Sequence, residues 1–146
     1  MQTRYLIGFV CVVALLVLAV PAAAQGGSFR VIVNSSNPAG SLRSAHVSDL
    51  FKGKVQRWDH GEAVAPVDQS ASSSVRASFS KSVHHKSVGA VQAYWQQMIF
   101  SGRGVPPAEL HSNAEVVAYV QRNSGAIGYV SSSTSLNNVK VVEILE

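Results

Sequence analysis

The residues best suited to chemistry lie in one short segment, residues 67–80, which reads VDQSASSSVRASFS. Three consecutive serines, Ser72, Ser73 and Ser74, precede a stretch whose apolar residues stand four apart, as on one face of a helix. A helix that begins here exposes unpaired N–H groups and the positive end of its dipole. Serine hydroxyls and the cation of Arg76 would then suit phosphate or sulfate. The simpler alternative is that one serine caps the helix while the others fill a polar turn.

The sequence offers little to the common enzyme classes. It contains no G-x-S-x-G nucleophile elbow, no P-loop and no dinucleotide-binding fingerprint. The adjacent His84 and His85 cannot share one helix face, and no H-E-x-x-H spacing occurs. These two histidines are therefore predicted to be solvent-exposed at a helix end. We predict a non-enzymatic protein with no cofactor and no bound metal.

Two tryptophans and one loop arginine have both structural and functional interpretations. Trp58 precedes a turn, so it is predicted to be a core residue rather than a ligand-stacking one. Arg103 lies between two glycines, where it either reaches a ligand or partner or is a solvated loop charge. Trp95 belongs to a broad apolar stripe on a predicted helix, made of Val88, Val91, Trp95, Met98 and Ile99.

The first 24 residues are typical of a secretory signal peptide. Arg4 gives a positive start, residues 6–20 are almost entirely apolar, and residues 22–24 form an A-x-A cleavage pattern. The apolar stretch is short for a membrane span, which needs about 20 residues. We expect cleavage after Ala24, which leaves residues 25–146 as one periplasmic or secreted domain with no membrane segment.

Composition narrows the choice of partners. The chain has a formal net charge of +4, and its basic residues are scattered. This mild excess suits an anionic ligand or an acidic surface, whereas a nucleic-acid-binding protein would have clustered Lys and Arg. The single cysteine, Cys11, lies inside the predicted signal peptide. Packing and hydrogen bonds, not disulfides, are therefore expected to stabilise the mature domain.

Hydrophobic periodicity and turn residues predict alternating strands and helices. Strands are predicted at residues 29–34, 64–67, 126–130 and 139–145, and helices at about 44–51, 74–83, 88–101 and 113–122. Ser44, Ser87 and Ser112 are predicted N-caps, and Gly53 and Gly61 are predicted to have positive φ. The alternation predicts an α/β domain of two or three layers.

Several segments also occur in an order that carries a family resemblance. Residues 50–54, LFKGK, and 57–61, RWDHG, are similar to an IF-x-GK … W-x-D-G signature. Residues 99–104, IFSGRG, and 125–130, GAIGYV, are similar to further segments of the same family, the last being the most specific. Together these segments resemble the periplasmic phosphate-binding proteins, which are the substrate-binding components of ABC importers. The resemblance covers nearly all of residues 29–145.

The resemblance implies a fold, a ligand and a partner. The fold is α/β, a single lobe of the type II periplasmic-binding-protein-like class, with a small mixed sheet flanked by helices. The ligand is phosphate or a similar oxyanion, held by Ser72, Ser73 and Ser74 with Arg76 nearby. Full-length members hold phosphate between two lobes, so a homodimer, or an envelope or ABC transporter partner, is expected to supply the other wall.

The same segment departs from the family pattern and leaves an alternative open. Ser73-Ser74-Val75 stands where the family has Ser-Gly-Thr, or Ser72-Ser73-Ser74 does if the alignment moves by one. The upstream arginine of the family falls at Asp68 or Gln69, and an aspartate there would repel phosphate. The alternative is therefore a non-enzymatic periplasmic interaction module on the same scaffold, with a decayed phosphate site.

Overall fold

The computed structural model describes residues 28–146, so the predicted signal peptide and its cleavage site lie outside the described residues. The strands are β1 (Phe29–Asn34), β2 (Ser41–Arg43), β3 (Ala65–Gln69), β4 (Ala108–Leu110), β5 (Ala126–Ser131) and β6 (Val139–Leu145). The α-helices are α1 (Ser44–Phe51), α2 (Ser74–Phe79), α3 (Val88–Phe100) and α4 (Asn113–Arg122), and a π-helix, Ser80–His84, continues α2 without a break.

The six strands form one mixed sheet in the order β2-β6-β1-β5-β3-β4. The central strand β1 pairs antiparallel with β5 and β6, while the outer pairs β2–β6, β3–β5 and β3–β4 are parallel. From Val31 onward the residues of β1 are buried, and its apolar side chains alternate between the two faces of the sheet, as the strand period requires. A mixed sheet flanked by helices confirms the predicted α/β class.

One face of the sheet packs against α1, α2 and the π-helix. The ring of Phe79 stacks on that of Tyr129 at a centroid distance of 3.9 Å and also contacts Phe51. The cluster on this face consists of Val31, Val33, Val47, Leu50, Phe51, Trp58, Val75, Phe79, Val83, Ile127, Tyr129 and Val142. The sheet and these aromatic rings fix the start of α2, where the serines lie.

The other face packs against α4 and depends on Gly128 in β5. The apolar cluster here consists of Ile32, Val67, Val116, Val117, Val120, Ala126 and Val130. A Cβ atom at Gly128 would lie 2.7 Å from Cγ1 of Val116 and 2.9 Å from Cγ1 of Val67. The glycine therefore permits the close approach of α4 to β5.

Gly128→Ala is expected to lower the free energy of unfolding by about 1–3 kcal/mol, because the added methyl overpacks this face. Urea denaturation measures the loss. Gly40→Ala is the matched control, since a Cβ at Gly40 meets nothing within 4 Å. Equal stabilities of the two variants would contradict the close packing.

The caps and turns mostly follow the sequence. Ser87 accepts a hydrogen bond from the amide of Ala90, so it is an N-cap as predicted, and Ser112 caps α4 in the same way. Gly53 and Gly61 have φ of 68° and 92°, which confirms both positions. The prediction that Ser44 is an N-cap is wrong. Ser44 is buried and is the first residue of α1, and the N-cap is Arg43, whose side chain makes no capping hydrogen bond.

The apolar stripe of α3 is only partly buried. Val91 and Trp95 are core residues, but Ile99 is 54% exposed and the following Phe100 is 97% exposed. The predicted apolar stripe is therefore part of the core at Val91 and Trp95 but not at the C-terminal end of the helix. No described element covers that end, which leaves its apolar side chains on the surface.

Candidate functional site

The candidate site lies where β3 ends and α2 begins. The amide of Ser73 donates to the carbonyl of Ser70, which closes the turn between strand and helix. The Ser73 hydroxyl accepts a hydrogen bond of 3.2 Å from the amide of Arg76 and donates one of 2.8 Å to Oε1 of Gln69. Ser73 is therefore the N-cap of α2, and its hydroxyl is already used within the domain.

Ser72 and Ser74 differ from Ser73 because both are exposed to solvent. Ser74 is the first residue of α2, so its amide and that of Val75 have no acceptor within the helix. The start of α2 and the residue before its N-cap thus present two serine residues and two amides at the positive end of a helical segment. These groups are hydrogen-bond donors without charge.

Arg76 is the third residue of α2 but is buried, with 4% of its surface exposed. Its Nη2 lies 3.3 Å from Oδ2 of Asp68, and its Nη1 lies 3.0 Å from Oε2 of Glu109. Nη1 also donates to the carbonyl of Gln69 at 2.6 Å. The guanidinium charge is therefore balanced by two carboxylates inside the domain, which leaves little of it for an anion at the serines.

Asp68 is the buried partner in this network. It is 5% exposed, and it accepts hydrogen bonds from the hydroxyl of Tyr129 and the amide of Gln69. Burial raises the pKa of Asp68 above its usual value, although the Tyr129 hydrogen bond and the charge of Arg76 act in the opposite direction. Burial, and then the negative charge of Asp68, raises the pKa of the Tyr129 phenol. Asp68 thus faces Arg76 and Tyr129, which weakens the repulsion that the sequence predicts between it and an anion at the serines.

A family model described as a PBP superfamily domain matches residues 20–144. The chain belongs to the PBP superfamily. This membership confirms the family resemblance that the ordered segments predict, and it assigns the observed mixed sheet and its helices to that superfamily. Among curated proteins, none matches this sequence.

Solved structures with the same fold are known from several bacteria. A phosphate ABC transporter substrate-binding protein with bound phosphate from Clostridium perfringens matches with a TM-score of 0.63 and 22% identity, over 80% of this chain and 44% of that one. An ABC-type phosphate transport receptor from Vibrio cholerae matches with a TM-score of 0.57 and 20% identity, over 80% of this chain and 45% of that one. A phosphate binding protein from Stenotrophomonas maltophilia matches with a TM-score of 0.52 and 15% identity, over 81% of this chain and 39% of that one. The chain spans less than half the length of these proteins.

Two residues of the Arg76 network in this PBP-superfamily domain could not be predicted from the sequence. Glu109 lies in β4, beside Asp68 in a parallel register, and β4 is too short to be predicted. Tyr129 lies in the GAIGYV segment, which indicates a strand but not the direction of its phenol. The signal available in the sequence was Asp68 itself, because a buried carboxylate needs a partner.

The prediction that both adjacent histidines are solvent-exposed is wrong for His84. It is 7% exposed, its Nδ1 lies 2.8 Å from the hydroxyl of Ser48, and its ring packs against Phe79. Burial, followed by the charge of Lys52, lowers the pKa of His84 from 6.5 to about 4. His85 is exposed and ends the π-helix with a φ of 53°. His84 is thus a neutral core residue.

Two further properties concern the described residues alone. Within residues 28–146, no three His, Cys, Asp or Glu side chains are grouped so that they could hold a metal ion. In the same part of the chain, no helix has both the length and the apolar character of a membrane span.

Proposed function

We propose that this PBP-superfamily domain is a non-enzymatic, periplasmic or secreted solute-binding protein that holds phosphate or a similar oxyanion at the start of α2. The observation that supports this proposal most is the start of the helix, where the exposed Ser72 and Ser74 stand beside two amides without helical acceptors. Hydroxyl and amide donors at a helix N-terminus suit an oxyanion. The phosphate that the Clostridium perfringens relative holds supports the choice of ligand.

The same geometry supports weak binding. Ser73 and Arg76 have partners inside the domain, so the anion would meet neutral donors and the helix dipole. We expect a dissociation constant on the order of 1 mM for the isolated domain, equivalent to about 4 kcal/mol of binding free energy. Because the solved relatives are about twice as long, a second copy or an ABC transporter component is proposed to supply the second wall.

The commitment of Arg76 to two carboxylates favours a second candidate function. In this alternative, the scaffold is kept as an interaction module for an envelope partner, and the phosphate site has decayed. Asp68 and Arg76 then serve only stability, and the exposed serines are surface residues. The two functions differ in whether the isolated domain binds phosphate at all.

Calorimetric titration with inorganic phosphate at low ionic strength tests the first proposal. We expect a saturable heat with a millimolar dissociation constant, weakened at least fivefold, by about 1 kcal/mol, in the double variant Ser72→Ala with Ser74→Ala. Ser82→Ala with Ser135→Ala is the matched control, since both serines are exposed and lie outside the turn. A folded wild-type domain that gives no heat at about 10 mM phosphate would reject oxyanion binding and leave the interaction module.

A further inference from the structure

A concave region lies on the side of the domain formed by the end of α1, the start of β3 and the end of α3. It is a cavity of about 360 Å³, within the range of small-molecule sites. Its apolar wall is formed by Val55, Val64, Pro66, Trp95 and Met98. The loop after α3 closes one side and contributes Val105, which is 85% exposed.

Two glycines fix the shape of this cavity. A Cβ atom at Gly53, where φ is 68°, would lie 3.3 Å from Cη2 of Trp95. A Cβ atom at Gly104 would lie 3.2 Å from Cζ3 of the same indole and 3.4 Å from Cε of Met98. The two backbone segments therefore lie directly against the tryptophan, which is held in one position with 6% of its surface exposed.

The charges at the cavity are positive. Lys52 and Arg103 are among its lining residues, and within residues 28–146 no carboxylate lines it. Asp49 is not a lining residue, and its carboxylate pairs with two lysines. Its Oδ1 lies 3.9 Å from Nζ of Lys52 and 3.7 Å from Nζ of Lys54. Burial, followed by the charge of Lys54, lowers the pKa of Lys52. One carboxylate thus serves two ammonium groups, and Arg103 has no ion pair in the described part of the chain.

We propose that this cavity binds a small organic anion, with its carboxylate between Lys52 and Arg103 and its apolar body against Trp95 and Met98. An apolar wall with few convergent polar groups is the usual composition of such sites, and the cations give the orientation. The site is separate from the serine turn of α2 and shares no residue with it. It selects for an apolar body, which phosphate lacks.

Octanoate is the probe for this site, with octylammonium as the ligand of opposite charge. We expect calorimetry to give saturable binding of octanoate and at least tenfold weaker binding of octylammonium. Lys52→Met with Arg103→Met is expected to weaken octanoate binding about tenfold, because both counter-charges are removed. The variant keeps the hydrogen bond from Tyr94, which uses the backbone carbonyl of Lys52.

Lys81→Met with Arg122→Met is the matched control, since it removes two exposed cations outside the cavity and should bind octanoate as the wild type does. Circular dichroism checks that each variant is folded. Ser72→Ala with Ser74→Ala should also keep full octanoate affinity, so this site is tested independently of phosphate binding. Equal affinity for octanoate and octylammonium, unchanged affinity in Lys52→Met with Arg103→Met, or no octanoate binding would each overturn the proposal.

Discussion

Arg76→Met is expected to lower the free energy of unfolding by about 3–5 kcal/mol, the usual result of removing one partner from a buried ion pair. Arg76 is 4% exposed, and its guanidinium contacts Asp68, Glu109 and the carbonyl of Gln69. The substitution leaves the charge of Asp68 buried without a cation. Urea denaturation at neutral pH measures the loss.

A second variant tests the reason for that loss. Arg76→Met combined with Asp68→Asn should recover a substantial part of the stability, because no buried charge is left unpaired and an asparagine oxygen still accepts from Tyr129. Arg122→Met, at an exposed position, should change the free energy of unfolding by less than about 0.5 kcal/mol. If Arg76→Met behaved like Arg122→Met, the buried network would not contribute to stability.

Acidification from pH 6.5 to pH 4 is expected to lower the free energy of unfolding by about 3 kcal/mol through His84. The imidazole has a pKa of about 4 in the folded domain and 6.5 as its usual value. Between these values the unfolded chain binds more protons, so stability is full above pH 6.5 and falls as the pH decreases. Urea denaturation at several pH values within this window gives the slope.

The matched pair His84→Gln and His85→Gln assigns the slope to its residue. His84→Gln should remove most of it, whereas His85→Gln should keep it, because His85 is exposed. Asp68 acts in the opposite direction, since its raised pKa makes the folded carboxyl take up a proton before the unfolded one does. The same pH slope in His84→Gln as in the wild type would contradict the burial of a neutral His84.

The parts of the fold that were predictable are those that local sequence determines. The β-branched runs of β1 and β6 give both strands at their observed bounds, because periodicity alone indicates a strand. The three-residue strands β2 and β4 were missed, since they exist only through pairing with distant strands. Ser87 was predictable as an N-cap because its hydrogen bond is local. The exposure of Ile99 was not, because it depends on which distant residues pack against α3.

In the candidate site, too, local features could be predicted from the sequence and long-range contacts could not. The serine cap of α2 could be read from residue types, because a hydroxyl beside a helix start has one strong local partner. The direction of Arg76 could not, because its partner Glu109 lies in β4, and Tyr129, which bonds its partner Asp68, lies in β5. The predicted exposure of His84 is wrong for a similar reason, since its hydrogen-bond partner Ser48 lies in another helix, α1.

The most direct test of the central claim is a ¹H–¹⁵N NMR titration of the domain with inorganic phosphate. We predict that the amide resonances of Ser74 and Val75 shift first and saturate together, because these amides have no acceptor within the helix. The amide resonances of Gly53 and Gly104, which line the cavity beside Trp95, should not shift. Saturable shifts at those two glycines with none at Ser74 and Val75, or no shift anywhere in a folded domain, would contradict it.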